Sequence, residues 1–167
     1  MINKFNLIFV TFFGIGKIKI IPGTFGSLVI TILLFCFLHI LFIPLNIILL
    51  VLVIIFLYSF YAINSYTKNL TNKDPKEVVI DEVIGQSIPL YLYEISHNTI
   101  KDFTDAIIFY FIIFLLFRFF DIIKPFPVSY FDKNFKNSFG VIFDDVFAGL
   151  YVVLILIFYM MGRNYLF

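Results

Sequence analysis

One cysteine, Cys36, and two histidines, His39 and His97, are all that this 167-residue chain offers of three common chemistries: nucleophilic, redox and soft-metal. A lone cysteine excludes a disulfide within the chain and any cysteine-built metal centre. Cys36 lies in an apolar run with no cationic neighbour to favour its thiolate, so it reads as packing. His39 falls in the middle of an apolar run and His97 in a polar loop, which leaves thiol, phosphohistidine and Ser-His-Asp mechanisms unsupported. Charge is scarce as well: 14% of residues are charged, where soluble domains have roughly 25%. No basic cluster points to nucleic acid, and the net charge of +1 favours no partner. A cleavable signal peptide is not expected, because the first long apolar run begins only after a glycine-rich segment at 14–27.

What remains is apolar. The chain is 62% hydrophobic with a mean hydropathy of +1.03, a composition for lipid rather than water. Its length suits one all-α domain over 1–167, a multi-pass helical membrane bundle of about five crossings. Residues 1–13 read as a short interfacial helix. Residues 14–27 (GIGKIKIIPGTFGS) hold four glycines and read as a loop with special backbone angles, with Thr24 or Ser27 capping the next helix. Spans are expected at Leu28–Ile43, Leu45–Tyr66, Thr104–Ile123 and Val141–Met161. Between the second and third of these, Asp74-Pro75-Lys76-Glu77 reads as an N-cap, a first-turn proline and a capping-box glutamate. Val78–Ile95 follows and is ambiguous, since it carries Asp81, Glu82, Gln86, Ser87, Pro89 and Glu94.

Topology bears on that ambiguity. If Val78–Ile95 crosses, one face carries Lys4, Lys17, Lys19, Lys68, Lys73, Lys76, Arg118, Lys124, Lys133 and Lys136, and the other only Lys101 and Arg163. Ten cations against two is the bias of a cytoplasmic face. The same choice gathers Asp81, Glu82, Arg118, Asp121, Lys124, Asp144 and Asp145 on that face. Ionisable groups against membrane-grade segments are costly and mark functional sites. Several acids in one low-dielectric place need a cation, and oxygen-only ligands suit Mg²⁺ or Mn²⁺. Arg118 and Lys124 supply a fork and a point charge for phosphate. The two acid pairs also sit in similar frames, Asp81-Glu82-Val83-Ile84-Gly85 and Asp144-Asp145-Val146-Phe147-Ala148-Gly149, whose small residues allow close helix contact. These features fit an enzyme acting on a lipid phosphate. They also fit a small cation carrier or channel subunit using the same carboxylates, or a lipid-phosphate-binding scaffold.

The segments Pro22-Gly23-Thr24-Phe25-Gly26-Ser27-Leu28, Val79-Ile80-Asp81-Glu82 with Gly85, Phe117-Arg118-x-x-Asp121-x-x-Lys124-Pro125-x-Pro127, and Asp144-Asp145-x-x-Ala148-Gly149 resemble the phosphatidylglycerophosphatase A family in order and spacing. Asp132 also stands where members often have aspartate, while Lys19 replaces a common proline and Asn137-Ser138 a glycine-rich turn. The resemblance implies a bacterial inner-membrane enzyme, its site facing the cytoplasm, that hydrolyses phosphatidylglycerophosphate to phosphatidylglycerol and phosphate with Mg²⁺. It implies Mg²⁺ ligands at Asp81, Glu82, Asp144 and Asp145, and catalytic roles for these with Arg118, Asp121 and Lys124. Phosphate contacts would come from Gly23, Thr24, Gly26, Ser27, Arg118 and Lys124, and the partner would be a phospholipid in the bilayer.

Overall fold

The structure, a computed structural model, describes residues 4–70, 75–96 and 102–166, with side chains as far as Gly162. The expected cap at Asp74, the loop histidine His97, and Lys73 and Lys101 lie outside the described residues. All regular structure among the described residues is helical: α1 (Lys4–Val10), α2 (Pro22–Phe35, extended by a π turn over Cys36–Ile40), α3 (Leu45–Thr67), α4 (Ile80–Ser96), α5 (Phe103–Ile123), α6 (Val128–Asn134) and α7 (Ser138–Leu166).

Among the described residues, four helices are long and apolar enough to cross a membrane: Pro22–Ile40, Leu45–Thr67, Phe103–Ile123 and Ser138–Gly162. Their outward faces carry Leu57, Phe111, Ile122 and Phe158, each more than half exposed, which water would not tolerate over such an area. The segment expected to be the fifth crossing is α4. It is only 17 residues long and more polar, but ten of those residues are buried, against six of the 23 in α3. A helix surrounded by other helices can carry polar residues that lipid would reject. α4 nevertheless runs the length of the bundle. It begins with Glu82 against Gly23 in the first turn of α2 and ends with Glu94 bonded to His39 at that helix's far end, 3.1 Å away. The bundle is therefore four membrane-grade helices around a fifth that runs parallel to α2 and α7.

Two glycines set the α4–α7 contact. A Cβ on Gly85 would stand 2.6 Å from the Asp145 carbonyl oxygen and 2.8 Å from the Phe117 ring. One on Gly149 would meet the Gly85 carbonyl oxygen. Close backbone approach of this kind is how helices associate where lipid removes the hydrophobic driving force.

The glycine-rich segment differs from its expected form. α2 starts at Pro22, so Thr24 and Ser27 lie inside the helix and neither caps it; Ile21 is the N-cap residue. Of the four glycines, only Gly14 has a positive φ, 94°. The other three are there for proximity: Gly16 lies on the Glu77 carbonyl, Gly23 on the Glu82 carboxylate and Gly26 on Val79. The left-handed angles fall instead on Phe12, Phe13 and Ile21. Ile21 at φ 43° is the more strained for being β-branched. The capping-box reading of Glu77 also gives way, because α4 begins only at Ile80. Glu77 instead accepts a 2.8 Å hydrogen bond from the Tyr66 hydroxyl.

His39 and α6 complete the departures. His39 lies in the π turn rather than in regular helix and bonds Glu94. α6 was not foreseen; its Phe131 stacks on Phe147 at 4.7 Å, holding the seven-residue helix against α7.

Candidate active site

Three helices bring charged side chains to one cleft of about 390 Å³, and a fourth helix walls it. The first turn of α2 contributes Gly23 and Thr24, and the first turn of α4 contributes Asp81 and Glu82. The last turns of α5 contribute Arg118 and Asp121, followed by Lys124 just past the helix end. Asp144 and Asp145 come from α7, which starts at Ser138, so they stand in its second turn rather than at its opening. The seven residues expected to carry catalysis thus all line one cavity. Of the expected phosphate contacts, Gly26 and Ser27 do not line it. Gly26 packs on Val79, and Ser27 is buried behind the cleft, donating 2.9 Å to the Gly23 carbonyl.

The acids divide into two groups. Asp81, Glu82 and Asp145 each place one carboxylate oxygen within 4.8 Å of the others. Asp144 turns away from them: its Oδ2 accepts from Lys124 Nζ at 2.9 Å, and its Oδ1 accepts from the Asp145 backbone N–H at 3.0 Å. Glu82 Oε2 and Asp145 Oδ1 are buried with no hydrogen-bond donor among the described residues. Buried carboxylate oxygens without donors cost several kcal/mol unless something cationic meets them. A hard divalent cation such as Mg²⁺ takes oxygen ligands, and this trio has the donor set and spacing to hold one.

The cations divide likewise. Arg118 Nη1 lies 2.6 Å from Asp121 Oδ2, one helical turn on, and donates more weakly to Ser27 Oγ at 3.4 Å. Its Nε is buried without an acceptor among the described residues, so the guanidinium keeps donor capacity in hand. Lys124 is the C-cap of α5 in a left-handed conformation, φ 48°, and Pro125 and Pro127 keep the helix from continuing past it. That turn aims its ammonium between Asp132 at 2.8 Å and Asp144 at 2.9 Å. Burial works against the charge, but Asp144 and Asp132 more than offset it and hold the Lys124 pKa well above the ordinary lysine range. A non-glycine residue kept left-handed at a cleft is local strain placed where positioning matters.

Two further lysines, Lys19 and Lys76, line the cleft, and Asp132 supports Lys124 from α6. In the sequence the two lysines registered as part of the positive face, Lys19 also as a departure from a common proline and Lys76 also within the Asp74–Glu77 cap, and neither as a site residue. Gln86, one turn beyond Glu82, has a fully buried amide with neither atom partnered among the described residues. The available signal was a glutamine one turn after the acid pair, among the polar residues that set this segment apart from the four apolar spans.

The profile of the phosphatidylglycerophosphatase A family matches residues 8–160. A phosphatidylglycerophosphatase A of Haemophilus influenzae is 36% identical over 156 residues, covering 93% of this chain and 88% of that protein. A Bacteroides thetaiotaomicron protein named provisionally as a phosphatidylinositol-3-phosphatase is 35% identical, with 84% of each chain covered. The phosphatidylglycerophosphatase A of Escherichia coli is 31% identical, covering 90% of this chain and 80% of its own length. No solved structure gives a significant match. With its family-spacing acids and cations assembled in one membrane-helix cleft, the chain belongs to the phosphatidylglycerophosphatase A family, a family of phosphoric monoester hydrolases.

Proposed function

We propose that the chain is a Mg²⁺-dependent phosphatase that releases phosphate from phosphatidylglycerophosphate, leaving phosphatidylglycerol, at the cytoplasmic face of the bacterial inner membrane. The observation that carries this reading is the Asp81–Glu82–Asp145 trio beside Arg118 and Lys124, all at one end of apolar helices. Asp81, Glu82 and Asp145 would hold the cation, with Asp144 kept on Lys124. Bound there, Mg²⁺ would supply Lewis-acid polarisation of the phosphoryl group. Charge balance supports the assignment. Among the described residues, five carboxylates and four cationic side chains line the cleft, so a phosphate dianion would meet net negative charge there without an added cation.

The chain's own residues then position and stabilise. Arg118 has Asp121 holding one edge and Nε still to donate, so it would clamp non-bridging phosphate oxygens in a fixed orientation. The carboxylate partners of Lys124 keep it charged near neutral pH, so it contributes a fixed positive potential. The first turn of α2 forms a further wall of the cleft, its N-terminal dipole favouring anionic groups. The ten-to-two bias of cations supports a cytoplasmic site. A lipid fits the geometry, since acyl chains can remain beside α2 and α5 while the headgroup enters at the helix ends.

The test is phosphate release by purified protein in mixed micelles, with and without Mg²⁺. Phosphatidylglycerophosphate and phosphatidylinositol 3-phosphate run in parallel, because the name of one relative raises the second substrate. Mg²⁺-dependent release, faster from phosphatidylglycerophosphate, is expected. No release from it, or release unchanged by chelation, would overturn the reading.

A further inference from the structure

The cleft holds its cations at two depths. Arg118 and Lys124 are inside, already engaged with Asp121, Asp132 and Asp144. Lys19 and Lys76 stand at the mouth, exposed, on the stretches that lead into α2 and α4. These two stretches are packed together. Gly16 lies directly on the Glu77 backbone carbonyl, where any side chain would clash, and the Val79 N–H donates to the Val10 carbonyl at 3.0 Å. Ile21, left-handed at φ 43°, then fixes how the first stretch enters α2. Lys19 and Lys76 are thereby brought to one rim, over an interior in which five carboxylates face Arg118 and Lys124.

The inner residues account for one phosphate. The proposed substrate has two of different kinds: the terminal phosphomonoester that is cleaved, and a phosphodiester one glycerol away that remains attached to diacylglycerol. The terminal group enters the cleft first, and the diester, tethered to the lipid, stays at the mouth. Phosphatidylinositol 3-phosphate has the same pattern, with inositol as the spacer, whereas phosphatidic acid has the monoester alone. Resting on the reading of the site as a lipid phosphatase, we propose that Lys19 and Lys76 form a phosphodiester subsite. It selects lipid phosphomonoesters that carry a second phosphate one polyol away.

The double variant Lys19→Gln, Lys76→Gln tests this in the full-length protein, with phosphatidylglycerophosphate and phosphatidic acid of matched acyl chains. Phosphatidic acid is followed by turnover, or as a competitive inhibitor if it is not turned over. Both lysines are exposed, so folding is not at stake. Removing each charge-assisted hydrogen bond should weaken binding by about tenfold. KM for phosphatidylglycerophosphate should rise at least tenfold with kcat kept, and the constant for phosphatidic acid should stay within about twofold. Lys19→Arg with Lys76→Arg should restore discrimination. An equal weakening of both lipids would reduce the lysines to general attraction and overturn the subsite, as would no change in either. If the wild type releases phosphate from none of these lipids, the phosphatase reading falls first and the subsite with it.

Discussion

Gly85→Ala adds one methyl group at the point where the site is assembled. The new Cβ would stand 2.6 Å from the Asp145 carbonyl oxygen, 2.8 Å from its carbonyl carbon and 2.8 Å from Phe117, a fully buried ring. None of these is the free end of a flexible chain. Ordinary contact begins near 3.4 Å, so α7 must retreat by about 0.8 Å and the ring must move as well. Alanine gains roughly 1 kcal/mol of helix propensity over glycine, against about 1–3 kcal/mol for overpacking. The net destabilisation is then small, and the fold should survive. Activity should not, because the retreat carries Asp145 away from Asp81 and Glu82. A displacement near 1 Å costs on the order of 100-fold in a positioned reaction, and metal ligands tolerate only about 0.2 Å. Phosphate release should fall about 100-fold with a raised Mg²⁺ requirement, while thermal unfolding in detergent shifts by only a few degrees. Gly162→Ala is the control, since nothing lies within 4 Å of its added Cβ. Wild-type turnover at wild-type Mg²⁺ in Gly85→Ala would refute the claim that this contact sets the site.

Four further outcomes are expected. Asp145→Asn should raise the half-saturating Mg²⁺ by more than about 100-fold, beyond what an outer partner costs, while Asp144→Asn should leave it nearly unchanged and lower kcat through Lys124; equal shifts in a Mg²⁺ titration would refute the division of the acids. Arg118→Lys keeps the charge but loses the fork, so insertion should be unchanged and kcat/KM should fall about 100-fold. Because the folded pKa of Lys124 is raised, its contribution to stability is complete below the ordinary lysine value and lost only as pH rises through the folded one; the unfolding difference between wild type and Lys124→Met should therefore be flat from about pH 7 to 9.5. A tag after Phe167 should report the side opposite to one at Met1 if α4 crosses with the four longer helices, and tags on the same side would exclude that crossing.

Much of this was legible because lipid makes patterns blunt. Leu45–Tyr66 and Thr104–Ile123 were readable within one residue of α3 and α5, since a membrane helix must be apolar for its whole length. Arg118, Asp121, Asp144 and Asp145 stood out for the converse reason, as charges where charges are costly. What was not legible depends on residues far apart in sequence. Glycine density at 14–27 suggested unusual angles, yet three of the four glycines answer to Glu77, Glu82 and Val79, more than 50 residues away. Nothing local distinguishes a glycine needed for its φ from one needed for its missing side chain. The division between Asp144 and Asp145 depends on the left-handed turn at Lys124 and on Asp132 in α6, a helix too short to leave a periodic signal.

The paired motifs take their meaning from the same geometry. Asp81-Glu82 with Gly85 and Asp144-Asp145 with Gly149 look like copies that would bring both acid pairs to one metal. α4 and α7 run parallel, with Gly85 on the Asp145 carbonyl and Gly149 on the Gly85 carbonyl and, at 3.4 Å from its built Cβ, Pro89. That offset sets the first turn of α4 beside the second turn of α7, so one pair gives both its acids to the trio and the other gives only Asp145. The spare acid is what fixes Lys124 over the cleft. Mutually repelling carboxylates cannot gather themselves; a helix contact too tight for a methyl group holds them together. The acids therefore set what the cleft can bind, and the glycines set whether it exists.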